Sequence, residues 1–238
     1  GTLLVTEAVA RTPTIHRANS DWGVPAIARD LLALVPALAD VRLVTVCPSG
    51  ACVDVWLRDA NFEPPRRVII TSGCGGGVTF DDLAEQQAPL TSGRRLAPEQ
   101  LMRLMGDVQD AAVLYRTARG IHTSGLSDGV RVLLVAQAVG RHNTIDRLWG
   151  QCLRRGQPTE DLILLSTGRI SSEMLNKAAK MRIPLVASRT SPTALSIELA
   201  RAWNITLVGY LRTGSLRVYT AAERLGFDGG NHGSQSSS

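Results

Sequence analysis

From Pro98 onward the chain alternates between short apolar runs bounded by turn residues and longer stretches with apolar residues at helical spacing, and this leaves few folds open. Pro98-Glu99-Gln100 begins a helix predicted to run to about Arg116. Strands are predicted near 121–127 and 130–138, followed by a helix at 141–155 and a strand at 161–166. A helix at 170–181, a strand at 184–188, a helix at 192–203 and a strand at 205–210 complete the series. Ser191-Pro192 reads as a helix start, with the hydroxyl as cap and the proline in the first turn. Strand–helix alternation of this kind predicts a three-layer α/β domain.

The first third reads differently, as a small α+β unit. Val24 to Ala39 is a helix candidate with Pro25 near its first turn, and Pro36 ends or kinks it. Two strands, 41–47 and 51–58, are joined through the hairpin-like Pro48-Ser49-Gly50. A third, 66–71, runs directly into Ser72-Gly73-Cys74-Gly75-Gly76-Gly77. Residues 81–95 are polar and irregular and read as a connection. The expected division is a small domain over 1–95, a second domain over 96–224 and a Gly/Ser-rich, disordered tail over 225–238.

Composition narrows the function classes. At 238 residues and 44% hydrophobic, the chain can bury one sizeable core or two modest ones. Aromatics make up only 4%, so packing must rest on Leu, Val, Ile and Ala. No run of about 18 apolar residues predicts a membrane helix, and no secretory signal is visible, so a cytoplasmic protein is expected. The net charge of +5 comes almost entirely from arginine, Lys177 and Lys180 being the only lysines. Guanidinium groups suit phosphate and carboxylate, although genome composition also explains such usage. Basic blocks interleaved with aromatics are missing, so a nucleic-acid groove is not indicated.

Cysteines and turns supply the candidate sites. Cys47, Cys52, Cys74 and Cys152 form no C-x-x-C pair and no zinc-spaced cluster with histidine. Cys74 is flanked by glycines after an apolar strand. Glycine leaves the thiol uncrowded, and successive loop N–H groups can favour a thiolate whose unperturbed pKa is ~8.5. A turn cysteine without a chemical role is the plainer reading. Gly140-Arg141-His142-Asn143 opens a helix, where free N–H groups attract an anion and Arg141 adds charge. His142 fits either a proton shuttle or a capping or packing residue, and His122 carries the same ambiguity. Asp146 and Arg147 are placed on the helix's outward face. Three arginine-bearing turns follow strands: Ser166 to Glu173, Ser188 to Pro192, and Tyr210-Leu211-Arg212-Thr213-Gly214-Ser215. Together they favour a large phosphate-bearing ligand on one rim of the sheet.

Several runs then resemble one family. G-I-H-T-S-G-L-S-D-G, V-G-R-H-N-T-I-D-R-L, S-T-G-R-I-S-S-E-M-L-N-K-A-A, I-P-L-V-A-S-R-T-S-P-T-A-L-S-I-E-L-A and I-T-L-V-G-Y-L-R-T-G-S-L-R-V-Y-T are similar to the formate dehydrogenase accessory family, FdhD/NarQ. The likeness covers about residues 66–224; residues 1–60 resemble the family only loosely. It implies a cytidine-deaminase-like second domain and a sulfurtransferase function. Sulfur would arrive as a persulfide from a cysteine desulfurase, onto Cys74. It would pass to the molybdenum bis(molybdopterin guanine dinucleotide) cofactor, bound as substrate, before insertion into the formate dehydrogenase catalytic subunit. Tyr210 to Ser215 match the segment implied in contacting that cofactor, and Arg141, His142, Arg169, Ser172 and Arg189 are the further expected contacts. No resident metal is expected: H-x-E and P-C-x-x-C, which hold the deaminase zinc, are absent. A homodimer is compatible with this reading.

The chain departs from the family at two places. Gly77 stands where relatives carry the second cysteine of a C-x-x-C loop, and Gln137-Ala138 stand where they carry acidic residues. Two alternatives therefore stay open, a cofactor-binding chaperone without sulfur transfer and a guanine-nucleotide binding module.

Overall fold

The computed structural model describes four N-terminal strands and residues 87–227. The N-terminal strands form two antiparallel pairs: β1 (Leu3–Glu7) with β2 (Pro13–Arg17), and β3 (Val41–Val46) with β4 (Val53–Leu57). The hairpin expected over 41–58 is present, trimmed by a residue or two. The helix predicted at 24–39, the strand at 66–71, Cys74 with its loop and the chain after 227 lie outside the described residues.

The main body carries six strands in the order β10-β9-β8-β7-β5-β6. In chain order these are β5 (His122–Ser127), β6 (Val132–Ala138), β7 (Ile163–Ser166), β8 (Leu185–Ser188), β9 (Thr206–Arg212) and β10 (Ser215–Thr220). β7, β8 and β9 run parallel, and the outer pairings are antiparallel. Five helices accompany them: α1 (Pro98–Asp110), α2 (Val113–Ala118), α3 (Arg141–Arg155), α4 (Ser172–Lys180) and α5 (Ala194–Ala202). Alternate residues of the central strands enter different cores, as the two-residue period of a strand requires. Leu164, Val186 and Leu207 join the core under α3, α4 and α5; Ile163, Leu165, Leu185, Ala187 and Val208 join the core under α1. The result is the expected three-layer arrangement, and it explains why β7 and β8 read as unbroken apolar runs.

Local signals account for most helix ends. α3 stops at Gly156, whose φ of 60° is left-handed, and Gln157 N–H returns to Cys152 O at 2.9 Å. α4 is capped by Ser171. α5 is capped by Thr193, not by Ser191-Pro192. Pro192 instead forms a parallel bridge with Ile170, a tertiary contact that delays the helix by two residues. The first helix is likewise shorter than its periodicity implies. It ends at Asp110, whose carbonyl accepts from Arg116 Nη1 at 2.7 Å, and the chain re-enters a helix as α2. The last strand, β10, is not in the sequence reading. Arg212 pairs with Ser215 across a two-residue turn, Thr213-Gly214, with Gly214 at φ 76°.

Residues 87–96 have no helix or strand, yet they are tied to the body. Leu90 is buried, its N–H donating to Trp203 O at 2.9 Å, and Leu96 N–H donates to Arg224 O at 2.9 Å. At the other end Leu225 is buried beside Leu211 in the α1 core, so packed chain extends through it.

Candidate functional site

The strand directions bring the polar turns to one end of the sheet. β7, β8 and β9 finish there, β6 finishes there, and antiparallel β5 begins there at His122. The turns after β7 and β8 share one device. Ser166 Oγ accepts from Gly168 N–H and Ser188 Oγ accepts from Thr190 N–H, both at 3.1 Å. Ser188 Oγ also donates to Gly168 O at 2.7 Å, joining the two turns. A buried hydroxyl chain fixes the third partner: Ser166 Oγ meets Ser124 Oγ at 3.0 Å, Ser124 meets Thr144 Oγ1 at 2.7 Å, and Thr144 donates to Arg141 O at 2.7 Å. These serines and threonines are thus committed to holding the turns and the start of α3. The arginines of these turns remain groups suited to grip an anion.

Arg141 and His122 converge on Gly168. A Cβ at Gly168 would lie 2.9 Å from Arg141 Cβ and 3.2 Å from His122 Nδ1, so only glycine lets the three come together. Gly168→Ala is therefore expected to cost about 1–3 kcal/mol and to shift Arg141, which denaturant melts check. Burial, and then the charge of Arg141, hold the His122 pKa below its ordinary 6.5. His122 is thus neutral near pH 7 and resists protonation in the folded state. As pH falls through 6.5 the unfolded chain takes up a proton that the folded chain refuses, so stability falls until the folded pKa is reached. His122→Gln should lose less stability than the wild type between pH 7.5 and 5 in thermal melts; an equal loss would contradict this.

The hairpin β9–β10 closes the rim. Tyr210 N–H donates to Thr190 O at 3.2 Å, seating the end of β9 on the turn after β8. Gly209 permits this approach, since a Cβ there would meet Pro192 Cδ at 2.9 Å and Thr190 O at 3.0 Å. Tyr210 has φ 51°, a left-handed conformation that costs a non-glycine residue on the order of 1 kcal/mol or more. Its exposed ring carries Arg217 over it at 5.6 Å to the centroid.

The positions expected from sequence are distributed as follows. Arg141 and His142 form the first turn of α3, Arg169 is exposed in the turn after β7, Ser172 opens α4, and Arg189 is half-buried after β8. Tyr210, Leu211 and Arg212 belong to strand β9 rather than to a turn beyond it, and Thr213, Gly214 and Ser215 make the hairpin. Leu211 is fully buried in the α1 core, so only its backbone faces any ligand. Cys74 lies outside the described residues.

One placement is reversed. Asp146 is not on an outward face: it is 1% exposed and paired with Lys177, whose Nζ lies 2.8 Å from Oδ1 and 3.0 Å from Oδ2. Asp146 falls on the face of α3 that meets α4, and the arrival of Lys177 from α4 compensates its burial. Lys177 also lies 3.5 Å from Glu173 Oε1, and Glu173 Oε2 lies 3.2 Å from His142 Nδ1. The sequence signal for this cluster was slight, a Glu–Lys pair four apart in a chain with two lysines. Cys152 is buried in the main core, and burial raises its thiol pKa.

Comparison with known proteins decides the family. Residues 33–226 match the FdhD/NarQ family. The chain belongs to it. A sulfur carrier protein FdhD of Bacillus subtilis (strain 168) is 38% identical over 159 residues, covering 66% of this chain and 61% of that protein. One from Halalkalibacterium halodurans is 40% identical over 160 residues, covering 66% and 59%. The chain thus spans about three fifths of the length of these curated relatives. A crystal structure from Desulfotalea psychrophila, provisionally described as a formate dehydrogenase accessory protein, matches with a TM-score of 0.67 and 26% identity. That match covers 85% of this chain and 79% of the other. Among the described residues no helix is long and apolar enough to cross a membrane.

Proposed function

We propose that this chain is a sulfur carrier that loads persulfide sulfur on Cys74 and delivers it to a molybdenum guanine-dinucleotide cofactor held on the arginine rim, in support of formate dehydrogenase. The observation that carries this reading is the gathering of Arg141, Arg169, Arg189 and Arg212 around strand ends in a chain of the FdhD/NarQ family. Pyrophosphates are anions that guanidinium groups suit. Names of relatives support the sulfur-carrying half of the reading.

The loading step is a thiol–persulfide exchange. The Cys74 thiolate attacks the terminal sulfur of a cysteine desulfurase persulfide; a Cys74 S–S bond forms and the desulfurase thiolate leaves. On delivery that S–S bond breaks, the terminal sulfur leaves as sulfide for the metal, and two electrons come from a small external thiol that ends in a mixed disulfide with Cys74. An external thiol takes this part because Gly77 replaces the resolving cysteine, unless Cys47 or Cys52 approaches. Gly77 also favours a second reading, a chaperone that binds the cofactor without transferring sulfur.

Intact-mass analysis after incubation with a cysteine desulfurase and free cysteine distinguishes these readings. One added sulfur, removed by reductant, is the expected result for the carrier. No addition, with the desulfurase shown active on another acceptor, would replace it with the chaperone.

A further inference from the structure

Four ionisable groups from two helices form a line behind the rim: Asp146 on α3, Lys177 and Glu173 on α4, and His142 back on α3. The end most deeply buried is the Asp146–Lys177 pair, and the other end is a histidine in the first turn of α3, beside Arg141. Taking the two carboxylates and the ammonium as charged, the three partners leave one negative charge beside a neutral imidazole, and protonated His142 would cancel it.

A carboxylate only accepts, so an imidazole nitrogen facing one must carry hydrogen. Glu173 Oε2 lies 3.2 Å from Nδ1, an ion-pair contact outside hydrogen-bond geometry, and it favours a hydrogen on Nδ1 and the exchangeable one on Nε2. Glu173 is held in turn from the far side by Lys177, four residues along the same helix and clamped on Asp146. Three further cations lie on the same two helices. They are Arg141 and Arg147 on α3 and Lys180 on α4, and any of them near the ring would oppose its protonation. His122 sits past Arg141, across Gly168, and is neutral near pH 7.

We propose that Glu173, oriented by the buried Lys177–Asp146 pair, is a positioning residue for His142: it fixes the Nδ1–H tautomer and helps the ring hold a second proton at the start of α3. The relay places a switchable positive charge where an anionic ligand would meet the helix N-terminus. Its consequence for cargo binding rests on the rim reading given above, but the relay itself does not.

The test is a pH titration of the histidine side chains by long-range 15N–1H NMR on the full chain without ligand. Four histidines, His16, His122, His142 and His232, keep the spectrum assignable, with His142→Gln identifying the relevant signals. The wild type is expected to show neutral His142 with hydrogen on Nδ1. Glu173→Gln removes a facing anion and should lower the His142 midpoint by about one pH unit. Lys177→Met removes a cation and should move it upward. Opposite shifts are the discriminating feature, because general loosening of the helices would move both variants the same way. If Lys177→Met fails to fold, Glu173→Gln and Glu173→Ala, altered at a half-exposed side chain, carry the test. Neutral His142 with hydrogen on Nε2, or a midpoint unmoved by Glu173→Gln, would overturn the relay. Shifts as expected in a chain that takes up no sulfur would support the relay and count against the sulfur-carrier function.

Discussion

Cys74→Ala is expected, on the carrier function proposed above, to abolish sulfur uptake outright and to spare the ligand binding proposed for the rim. The remaining cysteines explain why the loss should be complete. Cys152 is fully buried in the main core, and burial holds its thiol protonated, so it is neither reachable nor nucleophilic. Cys47 follows the strand β3 and Cys52 precedes β4 in sequence, and neither has glycine on both sides as Cys74 does. The complementary variant is Gly77→Cys, which restores an internal resolving thiol. It should speed sulfur release and reduce dependence on external thiol. Single-turnover release, followed by mass after loading, checks both. Residual loading of Cys74→Ala above a tenth of wild type would show that another cysteine carries the sulfur.

Asp146→Ala should destabilise the main domain by about 3–5 kcal/mol, read from urea melts, because it strands the Lys177 ammonium in a site 8% exposed. The remaining contact to Glu173 at 3.5 Å places the loss toward the lower end of that range. Replacing both partners, as Asp146→Leu with Lys177→Met, should recover most of the stability, since apolar groups of similar volume need no charge partner. The double variant would still lack the support that the pair gives to Glu173. A loss below about 1 kcal/mol in Asp146→Ala would mean that water reaches the pair, and the buried clamp between α3 and α4 would have to be abandoned.

Much of the sheet was legible because its signals are local. The runs Leu162-Ile163-Leu164-Leu165 and Pro184-Leu185-Val186-Ala187 are buried on both faces in any parallel arrangement, so their composition alone marks them. α3 was bounded correctly at 141–155, because Gly140 and Gly156 stand at its two ends. Two of the differences come from distant residues. The bridge from Pro192 to Ile170 moved the start of α5 to Ala194. Pairing with β9 turned Ser215 to Thr220 into a strand that its mixed polar sequence does not announce. The candidate site follows the same division: the arginine-bearing turns were visible as turns, but Asp146 was placed on the wrong face, because nothing within α3 tells that Lys177 lies opposite.

The amino-acid sequence by itself determined the alternation of strands and helices, the three-layer class, the polar turns that end the strands and the glycine-flanked Cys74. Each depends on spacing over a few residues, where hydrophobic period and backbone preference act without reference to the rest of the chain. The tertiary structure decided the strand order, the meeting of Arg141 and His122 over Gly168, and the line from Asp146 to His142. Those features join residues up to 46 positions apart in the case of His122 and Gly168. They exist only because packing against a shared core brings strand ends and helix starts to one rim, where burial then makes an ion pair necessary.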